Sequence, residues 1–170
     1  MKSPRKVQVN KSSIHGQGVF SLVKIKKNER ILEIDDSRVV SEEYPLIPER
    51  GEHERHYDYL ANGKVVLMQV PERYINHSCD PNVFVKVFEG RRYVYARRNI
   101  AKGEEITFDY GGDVVWQCNC GCPRCRKTIH SDFFHLPLAL QLEYLPFLSD
   151  WFIVKNCERV TELKRHQKRE

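Results

Sequence analysis

A mainly β fold with helices at its C-terminal end is predicted by three features of the sequence. The first two-thirds of the chain consists of short apolar runs separated by glycine, asparagine and proline turn signals. From Phe133 onward the apolar residues fall instead at helical spacing. Between the two regions, CNCGCPRC packs four of the six cysteines into positions 118 to 125.

The elements follow in order. KVQVN alternates as a half-buried strand, IHGQG breaks the pattern, and VFSLV resumes it. Lys27-Asn28-Glu29 makes a turn before the apolar RILEI. The stretch from Ser37 to Glu54 carries prolines and many charges and reads as loop with a helical turn at most. Tyr57 to Leu60 and VVLM flank an Asn62-Gly63 hairpin signal. VFVKVF and RYVYARR flank Glu89-Gly90 as a second hairpin. Its two faces carry Val83, Val85 and Val87 on one side and Phe84 and Phe88 on the other, so it is expected to be buried between layers. In the last third, Leu136, Leu138, Leu142 and Leu145, then Trp151, Phe152, Val154, Val160 and Leu163, suit amphipathic helices covering the core. Pro137 suits a first helical turn and Pro146 ends or kinks that helix. Cys157 reads as a small core residue of the helical region.

Composition bounds the function. With 170 residues, 41% hydrophobic and 30% charged, the chain can bury one globular core. No apolar run approaches the ~20 residues that span a bilayer. MKSPRKVQVN lacks an apolar signal region, so a cytoplasmic protein is expected, with a nuclear or chromatin-associated one as the alternative. Much of the formal charge of +5 sits in the terminal KRHQKR, which reads as a solvated helix end. Direct nucleic-acid binding through a zinc knuckle rests on the basic balance alone. Cysteines this close in sequence strain to pair with one another, so metal binding is favoured over disulfides. A redox role for CPRC would leave Cys118 and Cys120 without a purpose.

Three separated motifs carry the chemistry: HGQGVFS, NHSCDPN at 76 to 82, and GEEITFDYGG shortly before the cysteine cluster. Asp80, Pro81 and Asn82 suit a polar turn that caps local backbone, which leaves Asn76 to Cys79 unexplained. The glycines of HGQG allow either a strand bulge or close approach of a ligand to the backbone. Each motif alone is weak. In this order, followed by Cys-x-Cys-x4-Cys, the chain from about residue 7 to 126 resembles the SET-domain protein lysine methyltransferases.

The resemblance implies a SET fold in which the C-terminal part of the core threads a loop near NHSCDPN, an exception to the rule against threading. It divides the chain into a SET domain (1–117), a post-SET zinc segment (118–127) and a C-terminal helical extension (128–170). It implies that S-adenosylmethionine is held by His15, Gly16, Gln17, Gly18, Asn76 and His77, with Tyr57 and Tyr110 beside it. Tyr110 would be the catalytic tyrosine. Tyr57 would line the active site, with Tyr59 as its competitor, and Phe108 would leave room for di- or trimethylation. Cys79, Cys118, Cys120 and Cys125 would hold a closed structural zinc ion, with Cys122 as the alternative to Cys79. The substrate would be a lysine on a protein, such as a histone or another basic protein. The rival expectation is a non-catalytic, zinc-stabilised binding module with the same fold.

Overall fold

The computed structural model describes residues 5–110, 115–130 and 132–167. Gly111 and Gly112, which close the third motif, and Lys168 and Arg169 of the basic terminus lie outside them. Strand β1 (Val7–Lys11) turns at Gly16, whose φ is +48°, into β2 (Gln17–Ser21). Strand β3 (Arg30–Glu33) and the short β4 (Val39–Val40) follow. Next come β5 (Tyr57–Tyr59) and β6 (Val65–Leu67), joined through Gly63 at φ +81°. The Asn62-Gly63 signal therefore makes the expected hairpin. After the two-residue β7 (Asn76–His77), β8 (Val83–Phe88) and β9 (Arg91–Ala96) pair through Glu89 and Gly90, both at positive φ. That backbone suits a tight hairpin between right-twisted strands. Strand β10 (Glu105–Phe108) completes the central body.

These strands form small sheets rather than one large one. The sheet that matters most has the order β1-β2-β10-β7. In it β10 runs antiparallel to β2 and parallel to β7, with Thr107 opposite Asn76 and Phe108 opposite His77. A late strand thus lies between two earlier segments, as the threaded crossing implies. Two three-stranded sheets, β3-β9-β8 and β4-β6-β5, flank it. The main core is built from Val7, Val19, Ile31, Val94, Ile100 and Ile106 and their neighbours, which come from the β1-β2-β10-β7 and β3-β9-β8 sheets and the segments beside them.

Asn82 is 1% exposed and reaches across the chain instead of capping its own turn. Its side-chain amide donates to the carbonyl of Glu105 and to Glu104, and its Oδ1 accepts from the amide of Thr107. The polar turn read from the sequence is therefore partly a clamp on β10. A buried carboxamide needs such partners, and β10 leaves backbone groups free to supply them. Ser78 instead serves the turn, accepting from the amide of Asp80.

The β8–β9 hairpin is buried only at its base. Val87 and Phe88 at the tip are about half exposed, because no second layer reaches that far. The expectation of burial between layers is corrected to that extent.

Strands β11 (Val115–Gln117) and β12 (Thr128–His130) pair antiparallel and bracket the cysteine-rich loop. Beyond them come α1 (Leu138–Tyr144), α2 (Asp150–Lys155) and α3 (Cys157–Gln167). Pro137 caps α1, and Pro146 falls in the single 3-10 turn (Leu145–Phe147) that ends it. The Ser149 hydroxyl accepts from the amide of Phe152 and caps α2. Leu145, Val160 and Leu163, with Phe133, Phe134 and Phe152 against them, form a separate apolar cluster. Cys157 is exposed and not part of that core. It opens α3 one turn before Val160, the first residue that helix buries. No helix among the described residues is long and apolar enough to cross a membrane.

Candidate active site and metal centre

Pairing of β7 with β10 brings two of the three motifs to one place, and β2 brings the third. Asn76 lies at the meeting point. Its Nδ2 donates to the carbonyls of His15 (3.2 Å) and Gln17 (2.9 Å) and to Oε1 of Glu105 (2.8 Å). The amide is thereby fixed in one orientation, and among the described residues Oδ1 has no hydrogen-bond partner. Glu105 is itself held by the Ser12 hydroxyl, which touches both carboxylate oxygens at 2.8 and 2.9 Å.

The two glycines of HGQG differ. A Cβ on Gly16 would meet nothing within 4 Å, so that turn faces open space. A Cβ on Gly18 would run into the Glu105 carboxylate and stand 3.0 Å from Cβ of Ser12. Gly18 therefore makes room for the carboxylate that orients Asn76. His15, Gly16 and Gln17 are exposed, whereas Gly18 is buried.

His77 is buried between two aromatic rings, with Tyr110 at 5.4 Å and Trp116 at 5.3 Å, both edge-on. The backbone amide of Tyr110 donates to its Nδ1 at 3.1 Å. Nδ1 must then be unprotonated, so the ring is neutral with its hydrogen on Nε2, which lies 3.5 Å from Sγ of Cys79. Burial lowers the His77 pKa, and Asp109 opposes this only in part. The 3.5 Å approach of Nδ1 to Asp109 is accordingly not an ion pair of the neutral ring.

Tyr110 is 42% exposed overall, yet its hydroxyl is enclosed and donates to the carbonyl of Ile75 at 2.6 Å. Burial, with the Glu105 charge nearby, pushes the phenol up to about 12. It stays protonated at neutral pH and acts as a donor, not a base.

On the other side of Tyr110 lies a cavity of about 510 Å³, lined by Tyr57, Phe108 and Tyr110 among others. None of His15, Gly16, Gln17, Gly18, Asn76 and His77 lines it. Tyr59, by contrast, is 72% exposed and does not line the cavity. Tyr110 thus stands between buried His77, on which its ring packs, and the cavity that it lines with Tyr57 and Phe108.

The sulfur atoms of Cys79, Cys118, Cys120 and Cys125 all lie within 4.8 Å of one another. With Zn–S bonds of about 2.3 Å, tetrahedral sulfurs stand about 3.8 Å apart. The Cys79 and Cys118 sulfurs are 3.8 Å apart, so the donor set and spacing fit a closed structural zinc site. Cys122 lies 3.5 Å from Cys120 but outside this group of four, which favours Cys79 as the fourth donor. The amide of Arg126 points at Cys79 Sγ (3.4 Å), as suits a thiolate.

Several site residues escaped the sequence reading. Asp109 accepts from Arg126 and, at 2.7 Å, from the hydroxyl of Tyr144, and so joins the cysteine segment and α1 to the residue before Tyr110. Glu105 and Trp116 belong to the same set. The doubled acid of GEEI was a visible signal for Glu105. Nothing in the sequence marked Tyr144, which lies in the helical region outside the resemblance.

This fold and site define the SET-domain class, and the comparisons agree. The SET domain profile matches residues 16–111. The chain belongs to the SET domain family. It is 31% identical over 151 residues to the histone-lysine N-methyltransferase set1 of Dictyostelium discoideum, covering 76% of this chain and 10% of that protein. It is 32% identical over 149 residues to human histone-lysine N-methyltransferase 2B, covering 75% of this chain and 5% of that one. A histone-lysine N-methyltransferase of Candida albicans, H3 lysine-36 specific, is 34% identical over 140 residues, covering 72% of this chain and 16% of its own length. The chain therefore spans only a small part of these relatives. A crystal structure of a Plasmodium falciparum chain described as a histone methyltransferase superposes with a TM-score of 0.51 at 33% identity, covering 63% of this chain and 94% of that one.

Proposed function

We propose that this protein transfers methyl groups from S-adenosylmethionine to a lysine side chain of a protein. The observation that carries the proposal is that Tyr110 joins two sets of residues: it meets His77, next to the Asn76 amide that bonds the exposed turn at His15 to Gln17, and it lines the cavity shared by Tyr57 and Phe108. The open space at Gly16 and the free Oδ1 of the oriented Asn76 amide fit the amino-acid end of the cofactor. When bound, the cofactor supplies an electrophilic sulfonium methyl.

The chain's own residues do the rest. Asn76 accepts from the cofactor ammonium, and the backbone at His77 meets the adenine. Tyr57 and Phe108 wall a narrow space for the lysine stem. A lysine amine has a pKa of about 10.4 in water, so its neutral form costs about 4–5 kcal/mol at pH 7. Aromatic walls and the adjacent sulfonium charge both favour deprotonation. The Tyr110 hydroxyl, fixed by donating its one hydrogen to the Ile75 carbonyl, offers its oxygen as an acceptor beside the reacting groups and helps to hold them in line, and alignment supplies much of the rate. With the cofactor bound, the neutral amine held between Tyr57, Phe108 and Tyr110 would displace S-adenosylhomocysteine from the methyl carbon, the bonding pair going to sulfur and the new charge to the methylated amine. Phe108 adds no hydroxyl beside the amine, so a methylated lysine can turn and react again.

The four thiolates hold zinc as a staple between NHSCDPN and the post-SET segment. The histone-lysine relatives support a histone or similar basic protein as substrate. For the same reason they favour a nuclear or chromatin-associated setting over the expected cytoplasmic one. A non-catalytic binding module is disfavoured by the presence of the whole set from Gly16 to Tyr110. The test is incubation with labelled S-adenosylmethionine and a panel of proteins that includes core histones, followed by mass spectrometry. Methyl-lysine on at least one protein, absent without enzyme, is expected. Cofactor binding with no product on any protein would favour the binding-module reading.

A further inference from the structure

We propose that the part of the aromatic cavity faced by the C-terminal extension binds a large apolar side chain of the substrate, two residues from the target lysine. This rests on the methyl-transfer reading above and names a feature of the sequence it acts on.

The argument begins with volume. A lysine side chain has five heavy atoms, and at about 30 Å³ each, a water's share of the liquid, it fills roughly 150 Å³. The cavity of about 510 Å³ is several times larger. Its excess is bounded by Phe84 of β8 and by Leu136, Phe147 and Leu148 of the extension. Water against such a surface finds few partners, so displacing it with apolar atoms is favourable.

The wall is held in place. Phe147 packs on Phe84 at 4.9 Å between ring centroids. The guanidinium of Arg97 lies 4.4 Å from the Tyr144 ring and 5.0 Å from that of Phe147, and it is paired with Glu143. Tyr144 in turn bonds Asp109 beside Tyr110. A preformed wall lowers the ordering cost of binding. Both arginines on this side of the cavity, Arg97 and Arg126, already have carboxylate partners, Glu143 and Asp109. Neither of these two guanidinium groups is left to select an acidic side chain.

Geometry fixes the position. In an extended segment, side chains two residues apart point the same way, about 7 Å from one another. A residue two before or two after the lysine can enter the same cavity, whereas its immediate neighbours point away.

The experiment uses the full chain and peptides with one central lysine in a Gly-Ser-Ala background. Leu, Phe or Ala is placed two positions before or two positions after the lysine. Turnover is followed with labelled S-adenosylmethionine, and binding by fluorescence anisotropy with S-adenosylhomocysteine present. We expect Leu or Phe at one of these positions to raise kcat/KM about tenfold or more over Ala. Leu136→Trp, which fills the space, should abolish the difference. Equal turnover and equal binding across the series overturns the proposal, as does a preference that Leu136→Trp leaves intact or a failure of every peptide to bind. An apolar preference in binding with no turnover supports the pocket and sinks the methyl-transfer reading.

Discussion

The hydroxyl of Tyr144 donates a 2.7 Å hydrogen bond to Oδ2 of Asp109 and thereby ties the end of α1 to the residue before Tyr110. Burial and the facing carboxylate both raise the Tyr144 phenol, so it remains a donor across the neutral range. Tyr144→Phe keeps the ring over Arg97 and removes only this bond. It should cost about 1.5–3 kcal/mol, the range for a bond to a charged partner. Turnover should fall severalfold while the cofactor Kd stays unchanged. Calorimetric Tm, cofactor titration and kcat together check this; a variant that is less stable but turns over normally would reduce Tyr144 to a packing role.

Tyr110→Phe should lower kcat by about 10²-fold or more and barely alter cofactor affinity, because the lost hydroxyl positions the reacting groups rather than the bound cofactor. Single-turnover rates beside a binding isotherm make the comparison. Near-normal turnover would transfer the role to Tyr57.

The zinc site predicts about one equivalent of metal per chain, with methyl transfer lost on chelation. Cys122→Ser should retain the metal and Cys79→Ser should lose it, as read by elemental analysis of the purified variants. The reverse pattern would exchange these two residues in the ligand set.

Phe108→Tyr places a hydroxyl in the aromatic cavity. The product should shift from di- or trimethyl-lysine towards monomethyl-lysine, with little change in the first transfer. Mass spectra at complete turnover decide, and a wild-type enzyme that stops at one methyl would refute the role of Phe108.

Glu72 gives a pH dependence. It is buried and accepts from the amides of Asp35 and Gln69 at 3.1 and 3.2 Å. Burial raises its pKa above the ordinary carboxyl value of 4.5. An acid raised on folding leaves stability intact below its unfolded pKa, and that stability is lost as pH rises through the folded value. Glu72→Gln keeps an acceptor for both amides and removes the charge. Its Tm should match or trail the wild type near pH 4 and gain on it progressively as pH rises above 4.5, then level off. A constant difference between the two proteins across this range would show that Glu72 does not titrate abnormally.

Much of this was legible beforehand, for identifiable reasons. Gly63 and Gly90 take up the positive φ of the two hairpin turns, a local property that any sequence reading can use. The cysteine spacing and the three motifs were equally local. What remained hidden was long-range. Asn82 looks like a turn residue because its short-range options are good, yet it spends its amide on β10. Val87 and Phe88 share an apolar pattern with the buried base of their hairpin, and only the reach of the neighbouring sheet leaves them exposed. Cys157 shows the same limit at a helix end. The three bonds of the Asn76 amide involve residues 59 to 61 positions earlier and 29 later, which no spacing rule could pair.

Asp109 gathers donors from Arg126 and Tyr144, both of which follow the family match that ends at residue 111. A fragment trimmed to that match would leave the carboxylate without either donor, Cys79 without its three partner sulfurs, and Phe84 without Phe147. Inheritance and self-sufficiency thus draw different borders on this chain. The stretch that the SET profile matches is narrower than the stretch these contacts join, and a fragment meant to report on the chemistry has to be cut to the second.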